Sequence, residues 1–345
     1  MFIETVLLLV GLALVLLGAD GLVEGASQLA RRWGISEFVI GLTIVALGTS
    51  APEMVVSFIA AFEKNSDMAV GNIIGSNIFN TALILGLSAI IRPLIITRNN
   101  LSRDIPLNII VTSALILFGI KHSLLGIGQN GLGLWEGVVF VGCFGWYMVV
   151  SFRNDKSDTK ECGTEGLALN PACPEPSRRA CPEPSRREGK CKKGHRLIVS
   201  LAYVVVGLAA LIGGGQMFVD HAQAIAQMAG LSDKFIAITV LAAGTSMPEL
   251  ATSCVAAAKG KGQLALGNII GSNTANILLI LGGAAIIHPL DMNAIVPADY
   301  VALFATALCV MACAFTFGRK RIDRIEGTIL LLIECAYMGY LMATC

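Results

Sequence analysis

Apolar residues run along this chain in long blocks, without the alternation of a strand. The blocks span roughly 3–30, 35–62, 67–92, 104–120, 133–152, 197–222, 232–258, 264–288, 298–318 and 326–343. A helix needs about 20 apolar residues to cross the hydrocarbon of a bilayer. The pattern therefore predicts ten membrane-spanning helices, five on each side of a polar stretch at 153–196. The first run extends from Phe2 to about Ala30. That is too long for the apolar region of a cleaved signal peptide, so no such peptide is expected.

Composition agrees with this reading. The chain is 55% hydrophobic and 14% charged, with a mean hydropathy of +0.72, whereas about a quarter of a soluble domain is charged. A single polytopic, all-helical membrane domain is expected. Its basic residues set the predicted topology. With the N-terminus outside, 22 of the 25 Lys and Arg residues fall in inner loops, leaving only Lys64, Lys121 and Lys234 outside. Positive residues favour the cytoplasmic side, so both termini are expected to be extracytoplasmic and the long loop cytoplasmic.

The polar positions inside the blocks are duplicated. Gly48-Thr49-Ser50-Ala51-Pro52-Glu53 returns as Gly244-Thr245-Ser246-Met247-Pro248-Glu249. Gly71-Asn72-Ile73-Ile74-Gly75-Ser76-Asn77 with Asn80 returns as Gly267-Asn268-Ile269-Ile270-Gly271-Ser272-Asn273 with Asn276. Every pair is 196 residues apart, and so are Gly18/Gly214, Gly86/Gly282 and Pro93/Pro289. Toward the last helices the offset drifts to 190, at Glu136/Glu326. The chain thus divides into a first repeat at 1–152, a disordered cytoplasmic linker at 153–196 and a second repeat at 197–345. Five helices is an odd number, so the second repeat enters the membrane inverted, as in many secondary transporters.

The duplicated motif is a set of oxygen ligands. Pro52 has no N–H and its ring clashes with the carbonyl four residues back. The helix should break across 48–52, freeing carbonyls near Ala46 to Thr49 that hydrocarbon cannot satisfy. Thr49 and Ser50 add hydroxyls and Glu53 a charge, with Thr245, Ser246 and Glu249 as counterparts. Asn72, Ser76 and Asn80 lie four residues apart, as do Asn268, Ser272 and Asn276, so each trio forms one polar helical stripe. Gly71/Gly75 and Gly267/Gly271 are G-x-x-x-G steps that allow close helix approach. The set contains no thiolate or imidazole. An all-oxygen set suits hard cations such as Ca²⁺ and Na⁺.

Other polar residues read as structural. Glu136, Glu326 and Glu334 lie toward span ends, as do Asp20, Glu24 and Asp220, which are expected to be hydrated or paired with Arg31 or Arg32. Trp33, Trp135 and Tyr147 are expected at the membrane interface. The ten cysteines show no zinc-ligand spacing. The linker contains Ala172-Cys173-Pro174-Glu175-Pro176-Ser177-Arg178-Arg179 repeated at once as 180–187, and its composition builds no core.

At the doubled G-T-S-x-P-E and G-N-x-x-G-S-N motifs the chain resembles the calcium/cation antiporter superfamily, the sodium/calcium exchangers of prokaryotic type. The resemblance covers both repeats. It implies ten helices in two inverted halves with ion sites at the centre. It implies Glu53 and Glu249 as shared Ca²⁺ and Na⁺ ligands, and Thr49 and Thr245 as carbonyl or hydroxyl donors. Ser50 and Ser246 would serve flanking Na⁺ sites, Ala46 and Ala242 would offer carbonyls, and Ser76, Asn80, Ser272 and Asn276 would complete the shells. Several relatives carry Asp where this chain has Asn276, which argues against potassium dependence here.

The expected function is Na⁺/Ca²⁺ antiport in a prokaryotic inner membrane. Two carboxylates neutralise one Ca²⁺, or hold two or three Na⁺ with help from neutral oxygens. A Ca²⁺/H⁺ antiporter on the same scaffold is the alternative; an intramembrane enzyme or a cation channel is more remote. An enzyme would need a nucleophile–base pair or metal ligands at depth, and no histidine lies there. No cofactor, nucleic acid or obligatory protein partner is expected besides the transported ions and the lipid bilayer.

Overall fold

The computed structural model describes residues 2–126, 130–165, 197–228, 242–315 and 321–344. The first repeat comprises α1 (Phe2–Trp33), the bent pair α2 (Glu37–Thr49) and α3 (Ala51–Phe62), α4 (Ser66–Ile91), α5 (Ile105–Leu125) and α6 (Leu134–Glu165). The second comprises α7 (Leu197–Met228), the short α8 (Ala242–Thr245) with α9 (Met247–Ala258), α10 (Gly262–Ile287), α11 (Pro297–Phe315) and α12 (Arg324–Thr344). Among the described residues, seven helices are long and apolar enough to cross a membrane, and the bent pair makes an eighth. Pro297–Cys313 is a shorter apolar helix. The remaining expected span, 232–258, is described only from residue 242 onward.

Local chemistry sets the helix ends. Ser36 caps α2 by accepting the Val39 N–H at 3.2 Å, and Asn65 caps α4 by accepting that of Met68 at 3.1 Å. Gly126, at φ 66°, closes α5 in the left-handed conformation that glycine adopts without penalty. Two-residue strands tie the loops. β1 (Leu94–Ile95) pairs antiparallel with β4 (Arg321–Ile322), and β2 (Gly131–Leu132) with β3 (Leu290–Asp291). The repeat offsets exchange these two pairs, so each links a loop of one repeat to a loop of the other.

Glycines interlock the repeats. A Cβ on Gly18 would lie 2.7 Å from the Gly207 carbonyl oxygen, and one on Gly11 would lie 2.9 Å from that of Gly214. Residue 11 thus faces 214 and 18 faces 207, so the equivalent helices α1 and α7 run antiparallel, as the inverted repeat requires. The fifth helix of each repeat packs on the third helix of the other. Gly327 of α12 meets the Gly86 carbonyl of α4, and Gly137 of α6 meets the Gly282 carbonyl of α10, with Cβ distances of 2.7 and 2.6 Å. Gly267 and Gly271 press on Phe38 and Leu42 of α2 as the G-x-x-x-G step predicts. The matching partner segment for Gly71 and Gly75, 234–238, lies outside the described residues.

Several sequence expectations are corrected. Helix α6 continues to Glu165, past the boundary expected at 152. The remainder of the expected linker, 166–196 with its tandem octapeptide, lies outside the described residues. Tyr147 is no interface anchor: it is buried and donates to Asp104 Oδ1 at 3.1 Å. Glu334 lies near the middle of α12 rather than toward its end, and is buried. Asp20 pairs with Lys259 at 2.5 Å, a lysine the sequence reading did not name. Glu24 pairs with Lys261 at 3.3 Å as well as with Arg31 at 3.7 Å. The two lysine pairs join α1 to the α9–α10 turn, contacts between distant segments that single-chain spacing does not display, whereas the Glu24–Arg31 pair within α1 is as expected.

Candidate functional site

Both acidic motifs lie at helix breaks. Between α2 and α3 only Ser50 leaves helical geometry, at φ −79° and ψ 9°, and the axis bends by 50°. Ser246 does the same between α8 and α9, at φ −90° and ψ 10°. Each is followed by Pro at the second helical position, where a missing N–H is tolerated, and by Glu53 or Glu249 in the first turn. The positive end of each helix dipole thus faces a carboxylate. The break is tighter than the sequence suggested. Ala46 was expected to offer a freed carbonyl. Instead its oxygen accepts the Ser50 N–H at 3.0 Å and lies 3.3 Å from the Thr49 hydroxyl.

The two breaks meet face to face. The Ser50 hydroxyl donates to Glu249 Oε1 at 2.9 Å, and the Ser246 hydroxyl lies 3.1 Å from Glu53 Oε1. Ser76 lies 3.3 Å from Ser246 Oγ and 3.5 Å from Glu53 Oε1. Glu53, Ser246 and Ser76 therefore form one hydrogen-bonded group and Glu249 with Ser50 a second, each drawn from both repeats. Both glutamates are 1% exposed, and the second oxygen of each, Oε2, has no hydrogen-bond partner among the described residues. Ser272 Oγ, Asn276 Oδ1 and both polar side-chain atoms of Asn80 are likewise buried without a partner. Buried polar atoms are normally satisfied, so such a concentration marks a place built for an exogenous partner. Thr245 closes α8 and Ala242 opens it.

The stripes divide into two roles. Asn72 does not reach a carboxylate; its amide donates to Ser57 Oγ at 3.1 Å and to the Glu53 carbonyl at 3.4 Å. Asn268 donates to Ser253 Oγ at 3.0 Å, and its Oδ1 lies 3.3 Å from the Thr49 hydroxyl. These asparagines fix the acidic helices against α4 and α10. Deeper, Asn80 and Asn276 each open a π-helical turn, Asn80–Ile84 and Asn276–Leu281. The wider turn is a common device at functional sites. Sequence reasoning missed Asn77 and Asn273. Asn77 donates to the Asn273 carbonyl at 3.2 Å and accepts the Asn276 amide at 2.9 Å, while Asn273 donates to Thr81 Oγ1 at 2.7 Å. Both stand in the G-N-x-x-G-S-N motif, one place beyond the serine. Their duplication at the 196-residue offset was the available signal.

Inverted halves that pool paired acids at facing helix breaks, deep among apolar helices, define a secondary transporter of cations. The comparisons narrow the class. The sequence profile of the sodium/calcium exchanger protein family matches residues 3–153 and 199–343. The chain is 39% identical to CaxA of Alkalimonas amylolytica over 99% of this chain and 98% of that one. It is 34% identical to the inner membrane protein YrbG of Escherichia coli, over 91% and 89%. It is 32% identical to the sodium/calcium exchanger MaX1 of Methanosarcina acetivorans, over 97% of each. A solved structure of the sodium-calcium exchanger NCX_Mj superimposes with a TM-score of 0.77 at 29% identity, covering 99% of both chains. This chain belongs to the sodium/calcium exchanger family: it is a multi-pass membrane cation antiporter and not an enzyme.

Proposed function

We propose that the protein exchanges Na⁺ for Ca²⁺ by alternating access, with Glu53 and Glu249 as the shared ligands. The observation that carries this reading is the crosswise serine–glutamate pairing with both Oε2 atoms buried and unpartnered. Two carboxylates balance one Ca²⁺. The same pair balances two Na⁺, and the hydroxyls and amides can complete further shells. With neither load, two like charges would stay buried, which is costly. That cost disfavours an empty crossing and makes exchange obligatory. Ser50, Ser246, Ser76, Ser272, Asn80 and Asn276 would supply neutral oxygens, as would Thr49 and Thr245. The carbonyl of Ala242 completes the proposed set; that of Ala46 already accepts the Ser50 N–H.

The same reading places repeats at 1–152 and 197–345 in an inner membrane with both termini outside. The paired loops support the sidedness. β1 and β4 join two loops placed inside by their charge, and β2 and β3 join two placed outside. The test of function is ⁴⁵Ca²⁺ uptake into proteoliposomes loaded with Na⁺ or with choline. Uptake that requires internal Na⁺ supports exchange. Uptake driven equally well by a pH gradient without Na⁺ would replace Na⁺ with protons as the coupling ion.

A further inference from the structure

The two halves of the site differ at one bond. Asn276 of α10 donates its amide to Asn77 Oδ1 of α4 at 2.9 Å. That bond fixes the Asn276 amide and leaves its own Oδ1 buried without a protein partner. The repeat offset maps this contact onto Asn80 donating to Asn273 Oδ1. The mapped bond is not made. Asn80 Nδ2, Asn80 Oδ1 and Asn273 Oδ1 are all buried and unpartnered among the described residues.

The cause lies one residue beyond Asn80. The Asn273 amide donates to Thr81 Oγ1 at 2.7 Å. The repeat mate of Thr81 is Ile277, whose side chain has no acceptor; the Asn77 amide donates instead to the Asn273 carbonyl, and its Oδ1 is turned to the Asn276 amide. Thr81, Asn108 and Asn273 also line a small cavity of about 20 Å³ with Ile105 and Ile269.

We infer that Thr81 is a positioning residue that holds Asn273 away from Asn80, leaving one amide ligand of the ion site fixed and the other free to turn. This rests on the reading of Asn80 and Asn276 as ion ligands. The physical consequence is differential. Ca²⁺ takes six to eight oxygens in its shell, so a fully fixed set of oxygens favours it. A free Asn80 amide reaches each ion load at the cost of ordering itself on every binding event. The hydroxyl of Thr81 therefore weakens Ca²⁺ binding relative to Na⁺ and keeps the site usable by both.

The test is Thr81→Val, which removes the hydroxyl and keeps the shape. Half-saturating Ca²⁺ and Na⁺ concentrations are measured from ⁴⁵Ca²⁺ exchange in proteoliposomes. The expected result is a fall of about fivefold in half-saturating Ca²⁺ relative to Na⁺, the factor that one net hydrogen bond is worth. The fall should vanish in an Asn273→Ala background, where no acceptor for Asn80 remains; a general packing change would persist there. An unchanged or raised Ca²⁺ value overturns the inference, and so does a shift that survives in Asn273→Ala. Asn80→Ala and Asn276→Ala are run alongside. If neither alters either ion's dependence, the ligand reading itself fails. If they do and Thr81→Val does not, only the positioning role of Thr81 falls.

Discussion

Ser50 and Glu249 belong to opposite repeats, 199 residues apart, yet the serine hydroxyl is 2.9 Å from the carboxylate. Its mirror relation, Ser246 with Glu53, closes at 3.1 Å. The shortest side-chain hydrogen bond to each acid comes from the other repeat. A serine substitution should therefore be felt first by the glutamate of the other half. Ser50→Ala is expected to weaken ion binding about tenfold or more, since a bond to a charged group is worth about 1.5–3 kcal/mol. Combined with Glu249→Gln it should add little, because neighbours sharing one bond are not additive. Ion dependence of exchange in the single and double variants measures this. Full additivity would place Ser50 outside the Glu249 environment.

Removing either charge should abolish Ca²⁺ transport while leaving the fold intact. Glu53→Gln and Glu249→Gln keep the shape and polar atoms but leave one carboxylate against a divalent ion in a low-dielectric site. ⁴⁵Ca²⁺ uptake near background, with a normal size-exclusion profile in detergent, is the expected outcome. Uptake above about a tenth of the parent rate in either variant would show that the two acids do not share one Ca²⁺.

Gly18→Ala tests the antiparallel seam of α1 and α7. The added methyl would stand 2.7 Å from the Gly207 carbonyl oxygen and equally close to the Leu211 nitrogen. Overpacking of this kind costs about 1–3 kcal/mol. A lowered thermal midpoint in detergent is expected. Gly142→Ala, on α6, meets nothing within 4 Å among the described residues and serves as the control with little change.

The long loop should be dispensable for exchange. No proposed ion ligand lies between 166 and 196, and the composition there builds no core. Replacing 166–190 with a flexible polar linker should leave the exchange rate within about twofold at matched expression, since a segment of this composition builds no core. A large loss of rate would assign the loop a task.

Topology has its own measurement. Reporters fused at the C-terminus should be active if they require the extracytoplasmic side, because the basic residues then fall overwhelmingly inside. Activity from a cytoplasm-dependent reporter would reverse the orientation of every helix.

Much of this architecture was legible because hydrocarbon imposes few solutions. Long apolar blocks announce helices, and a constant offset announces a duplicated site. Glu53, Glu249, Ser50 and Ser246 stood out as polar atoms where a bilayer tolerates few. What stayed hidden depends on rotation about helix axes. Tyr147 reads as an interface aromatic until α6 turns it inward onto Asp104, and Glu334 reads as peripheral until α12 is seen to run ten residues on either side of it. Asn77 and Asn273 were visible as letters of the motif, but their amide partners are set across the interface, where spacing along one chain says nothing. The Ala46 carbonyl was expected free because Pro52 disrupts a helix. In the structure the disruption is confined to Ser50, and the carbonyl keeps its helical partner.

The glycine crossings of α12 on α4 and of α6 on α10 bear on how such a chain arises. Each five-helix half lends its last helix to its neighbour, as partners do in a swapped dimer. A single ancestral copy inserted both ways round in one membrane would meet all of these contacts with a second copy of itself. Fusion of the two genes then adds no new interface; it fixes the ratio and orientation of two subunits already entwined. It also frees each copy to diverge separately, and Thr81 opposite Ile277 is a trace of that freedom.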